Sequence, residues 1–104
     1  MTDETILTML KANLQIMPEN TLQDEYLNSL ITTAKQMITR EGITLADTVE
    51  DGQLVVMYAA YLYRKRADDA PVMPRMLRYA LNNRLFQEKI AEAKTETEGG
   101  AGDA

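Results

Sequence analysis

The chain has no cysteine, no histidine and no tryptophan. Without cysteine there is no disulfide and no thiolate chemistry. Without histidine the commonest general base and the commonest metal ligand are both missing. Serine occurs once, at Ser29, so no nucleophile–base pair of the usual kind can be assembled. A glycine-rich phosphate loop is absent too, since the only Gly-Gly pair, Gly99–Gly100, lies near the end of the chain. The longest apolar run, Leu54 to Tyr63, has ten residues, half of the roughly 20 that cross a bilayer. The opening MTDETILTMLK lacks a basic region followed by an apolar one, which predicts no signal peptide and a protein made and folded in a cytoplasm. Strict apolar–polar alternation persists nowhere, so strands are not expected beyond a short piece near Ile43–Leu45.

What is present is apolar helical pattern. Hydrophobic residues make up 45% of 104 residues, enough for one domain with one modest core. The stretch Asp51–Arg66, DGQLVVMYAAYLYRKR, organises the rest. Met57, Ala59, Ala60 and Leu62 favour helix, and a helix apolar on nearly every side needs partners on more than one side. Leu54, Val55, Val56, Met57 and Leu62 are the expected core contributors. A first helix is predicted over Asp3–Leu14, capped by Thr2 or Asp3, with Ile6, Leu7, Leu10 and Leu14 on one stripe. A second starts near Thr21, where Thr21 and Asp24 have capping-box spacing, and stops at Gly42; Leu27, Leu30, Ile31, Ala34, Met37 and Ile38 share a face. The central helix opens at Glu50 or Asp51. A fourth runs from Pro74 to Ala93 with an apolar face of Met76, Leu77, Ala80, Leu81, Leu85 and Ile90. The predicted fold is therefore all-α: a small four-helix domain over residues 1–93, with a nearly fully apolar third helix and a flexible acidic tail over 94–104.

Charge is unevenly laid out. Residues 1–50 carry three Lys/Arg against eight Asp/Glu, residues 51–91 seven against four, and residues 92–104 one against four. The carboxylate pairs Asp24–Glu25 and Asp68–Asp69 read as a helix start and a solvated loop, with no further ligand clustered near either. No catalytic, cofactor-binding or metal-binding residues are predicted. The candidate site is basic: Arg64, Lys65, Arg66, Arg75, Arg78 and Arg84, around one end of helices three and four. Ion pairing with another protein is one reading of this set. Direct DNA contact by a helix–turn–helix is a second, opposed by the pI of about 4.6. A helix end plus a solvated face is the third. Five tyrosines against one phenylalanine suit rings with one wet edge, as at interfaces.

Several segments taken together resemble a known family. They are Asp24-Glu-Tyr-Leu27, Glu41-Gly-Ile43, Met57-Tyr-Ala-Ala-Tyr-Leu-Tyr-Arg-Lys-Arg66, Met73-Pro-Arg-Met-Leu-Arg78 and Leu81-Asn-Asn-Arg-Leu-Phe86. Over residues 5–89 the chain resembles the head–tail connector, or adaptor, proteins of tailed bacteriophages, formerly labelled DNA-packaging proteins. The most specific part is the MPR…LR…LNNRLF run after the AAYLYRKR helix end. The resemblance implies a structural virion protein without catalysis: a helical subunit forming a ring, a dodecamer if matched to the portal, at the head–tail interface. Such a ring extends the DNA channel without sequence-specific binding and offers a docking surface to the tail completion or stopper protein. A small helical DNA-binding protein and a generic interaction module are the alternatives. The tail after Phe86 matches no feature of the family.

Overall fold

In the computed structural model, which describes residues 2–66 and 73–103, with side chains as far as residue 93, the chain forms four helices and no strand among the described residues. They are α1 (Asp3–Asn13), α2 (Asp24–Arg40), α3 (Val49–Lys65) and α4 (Arg75–Asp103). The all-α, four-helix reading is correct. Ile43–Leu45 is irregular rather than extended into a strand, with Ile43 buried under the bundle. The expected connector residues Asp68, Asp69 and Pro71 lie outside the described residues, as do the side chains of the expected tail.

Helix α3 is the hub, packing against α1, α2 and α4. Leu54, Val55, Val56, Tyr58, Ala59 and Ala60 are all buried, whereas Met57 and Leu62 are only partly covered. Ala59 and Ala60, at 0% and 1% exposure, have no side chain beyond Cβ. They therefore put little bulk between α3 and the helices packed on it. Against α3, α1 sets Ile6 and Leu10, α2 sets Leu27, Ile31, Ala34 and Ile38, and α4 sets Leu77 and Leu81.

The helix ends depart from the expected signals in three places. Thr2 caps α1 as expected, accepting from Thr5 N at 3.2 Å. The capping box expected at Thr21 does not form. α2 begins at Asp24 behind Gln23, without a side-chain cap, because Asp24 turns to Lys11 instead, at 2.6 Å. Likewise α3 starts at Val49, with Thr48 accepting from Asp51 N at 3.1 Å; Thr48-Val-Glu-Asp51 has the same capping-box spacing as Thr21–Asp24. At the far end of the chain the backbone of α4 stays helical past Ala93 to Asp103. Ala91, Ala93, Lys94 and Glu96 are strong helix formers, and each residue added to an existing helix gains a backbone hydrogen bond.

Both short-range stops use the left-handed region. α1 ends in a Schellman motif: Ile16 N bonds Lys11 O at 2.8 Å, Gln15 N bonds Ala12 O at 3.2 Å, and Gln15 sits at φ 62°. α2 ends at Gly42, φ 104°, whose N–H reaches Thr39 O at 3.0 Å. A Cβ on Gly42 would lie 3.2 Å from Leu85 Cδ1. Gly42→Ala is therefore expected to destabilise the fold by about 1–2 kcal/mol through its left-handed backbone, seen as a lower midpoint in a thermal circular-dichroism melt. Gln15→Gly relieves the same kind of strain in an open turn and should shift the midpoint slightly upward.

Candidate interaction surface

The six basic residues do not form one patch. Arg84 lies opposite Asp51 at the start of α3, while Arg64, Lys65 and Arg66 lie at its end. At 1.5 Å per residue these ends are about 20 Å apart. Each member then has its own surroundings. Arg64 donates to the Asn13 side chain at 3.1 Å, at the end of α1. Lys65 sits 5.9 Å over the Tyr61 ring. Arg66 stacks 4.2 Å over Tyr63 and 5.1 Å over Tyr26, tying the end of α3 to the start of α2; exposed contacts of this kind contribute about 0.5–1 kcal/mol. Arg78 pairs with Glu41 at the end of α2 and donates to Asn82 at 3.2 Å. Arg75 is exposed and makes no ion pair among the described residues.

Arg84 is the centre of a clasp rather than a free cation. Asp51 is 2% exposed. One of its oxygens pairs with Arg84, and the other accepts from Ala46 N at 2.5 Å. Arg84 also donates to the Thr44 carbonyl at 2.9 Å and lies 3.3 Å from Glu88, which accepts from Thr44 N at 3.1 Å. The connector between α2 and α3 is thus tied to the start of α3 and to the middle of α4. The hydrogen bond to Asp51 holds the Arg84 guanidinium charge above its already high ordinary pKa, against the opposing effect of burial. By contrast the Arg78–Glu41 pair is partly exposed on both sides, where such pairs contribute at most about 1 kcal/mol.

Two further features were not read from the sequence. Lys11 is 5% exposed, pairs with Asp24 and donates to the Pro18 carbonyl at 3.2 Å, bracing the α1–α2 turn. Its signal was its place among Leu7, Leu10 and Leu14 on the apolar stripe of α1. Ser29 simply donates to the Tyr26 carbonyl one turn back, at 2.6 Å.

The second feature is on α4. Its expected single apolar face divides in two. Leu77 and Leu81 are buried, but Met76 and Ile90 are 75% and 50% exposed, and they align with Tyr79 and Phe86, which are 58% and 65% exposed. Met76, Tyr79, Phe86 and Ile90, with Asn83, recur at alternating three- and four-residue steps. At about 100° per residue they occupy an arc of roughly 80°, opposite Leu77 and Leu81. Beside this stripe an open groove runs over α3 between α1 and α4. Its parts have volumes of about 330 and 480 Å³ and share Gln53 and Met57.

Among the described residues no group of three or more carboxylates is placed to hold a metal ion, and no helix is long and apolar enough to cross a membrane. Comparison with protein-family models, with curated proteins and with solved structures finds no match for this chain.

Two outcomes follow from the clasp and its neighbourhood. Arg84→Ala strands the buried Asp51 carboxylate and should cost about 3 kcal/mol in chemical denaturation; Asp51→Ala leaves Arg84 partly exposed and still beside Glu88 and should cost less, and the double variant should cost less than the two together by roughly 1–2 kcal/mol. Burial pushes the Tyr58 hydroxyl above its ordinary pKa of 10.0, with the Glu41 and Tyr61 charges adding and Arg78 opposing. The neutral phenol is therefore favoured in the fold. Stability from this group is complete below pH 10 and falls as pH rises through the higher folded-state value. Tyr58→Phe should flatten that alkaline decline in denaturation midpoints measured across pH.

Proposed function

We propose that this chain is a head–tail connector subunit of a tailed bacteriophage, a structural protein of the virion that acts by assembling into a ring beneath the portal. The observation that carries the reading is the connector-like run Met73-Pro-Arg-Met-Leu-Arg78 and Leu81-Asn-Asn-Arg-Leu-Phe86 together with its position. It spans the start and middle of α4, the helix whose outer face holds Met76, Tyr79 and Phe86 in water. An apolar stripe of this kind on a small domain is a surface built for another chain.

A ring needs two different patches on each subunit. The net charge of −5 suits a channel through which DNA slides, since fixed positive charge at the lumen would hold phosphates. The partners under this reading are further copies of the chain, the portal, and the tail completion or stopper protein. DNA passes without being read. The subunit is made in the host cytoplasm and ends in the virion. The arginines support this over direct DNA binding, because Arg78 and Arg84 are paired with carboxylates of their own chain.

Native mass spectrometry of the chain alone and mixed with its cognate portal tests the proposal. A many-copy complex with the portal is expected, and a chain that ignores the portal at near-physiological salt would overturn it. Among the basic residues, Arg75→Glu is the informative reversal: it should weaken portal or ring assembly with an unchanged melt. Arg78→Glu alone would place two acids together at Glu41, so it is read only beside the swap Arg78→Glu with Glu41→Arg.

A further inference from the structure

We propose that the outer stripe of α4 docks into the groove over α3 of a second copy of this chain. The domain carries both halves of the contact. The groove has α3 as its floor and α1 and α4 as its walls, with Met9 and Ala12 on one side, Gln53 and Met57 below, and Ala80 and Gln87 on the other. α2 covers α3 from elsewhere through Leu27, Ile31, Ala34 and Ile38. What is missing is one more helix on the side where Met57 is only partly covered. Helices pack by laying a ridge of side chains into such a groove, and Met76, Tyr79, Phe86 and Ile90 are a ridge of that kind.

The stripe cannot fill its own chain's groove. Its helix is held by Leu77 and Leu81 on the opposite side and by the Arg84–Asp51 clasp. A second chain must supply the partner, and charge complementarity points to a copy. On the helical arc, Arg75 and Lys89 flank the stripe on the side away from Ala80 and Gln87. The groove carries the exposed carboxylate of Glu50 at its α3 end. The amides of Gln53, Asn13 and Gln87 along the groove offer partners to the Tyr79 hydroxyl, which an apolar slot would leave unsatisfied. The two surfaces differ and share only Asn83, at their border on α4, so the contact is heterologous. It repeats from copy to copy and leads to a closed ring or an open chain according to the rotation per step. This deepens the ring reading by naming its contact, and rests on that reading for closure alone.

Because the chain lacks cysteine, paired thiols report the contact cleanly. Phe86→Cys and Ala12→Cys both replace exposed residues, and circular dichroism checks that the variants are folded. Oxidation of the double variant at up to millimolar chain concentration should give a ladder of covalent multimers on a denaturing gel, while neither single variant should. Phe86→Glu should weaken self-association about tenfold or more in sedimentation. A covalent dimer from Phe86→Cys alone would overturn the proposal in favour of α4 pairing with itself. So would a folded double variant that forms no ladder. Neither result touches portal binding, which fails or succeeds in its own assay; a ladder from a chain that ignores the portal would keep this contact and remove the connector reading.

Discussion

Ten consecutive apolar or aromatic residues wound into a helix leave no polar side to offer to water, and the architecture follows from enclosing them. α1, α2 and α4 each present a stripe of two to four large or small apolar residues to α3, which is the one helix that packs against all three. Burying a Leu, Ile or Val contributes about 1.5–3 kcal/mol. The fold is held mainly by these contacts, while most of the visible ion pairs add little because water screens them.

The two pairs with one buried member are the exceptions, and both sit at joints. Lys11–Asp24 braces the turn between α1 and α2, and Asp51–Arg84 closes the connector over the α3–α4 contact. A buried charge with one correct partner costs less than the same charge unpaired, so each pair specifies one arrangement of the helices it links. This is why Arg84 belongs to the fold although its neighbours in sequence suggested a surface role.

The enclosure of α3 is incomplete on one side, and the outer face of α4 is apolar and exposed. Groove and stripe are both left in water. The functional proposal and the docking proposal draw on this single feature at two scales: a virion ring, and the contact between neighbouring subunits.

Much of the fold is legible from residue order because it depends on local period. The four helices, the hub role of α3, the Thr2 cap and the left-handed stop at Gly42 all follow from spacing and from backbone preferences that act within a few residues. The candidate site was not legible in the same way. Six basic residues close in sequence suggested one surface, yet helix geometry sets Arg84 about 20 Å from Arg64, and Asp51 and Glu41, distant in sequence, take Arg84 and Arg78 as partners. Likewise Met76, Leu77, Leu81 and Ile90 satisfy one helical pattern on paper. Only the placement of α3 decides that Leu77 and Leu81 face inward and that Met76 and Ile90, with Tyr79 and Phe86, face out. Amino-acid sequence by itself determined which segments are helical and which helix must be central, because those choices rest on neighbours along the chain. Tertiary structure alone decided which charges are paired and which apolar face is left over, because those depend on what another helix brings within a few ångströms.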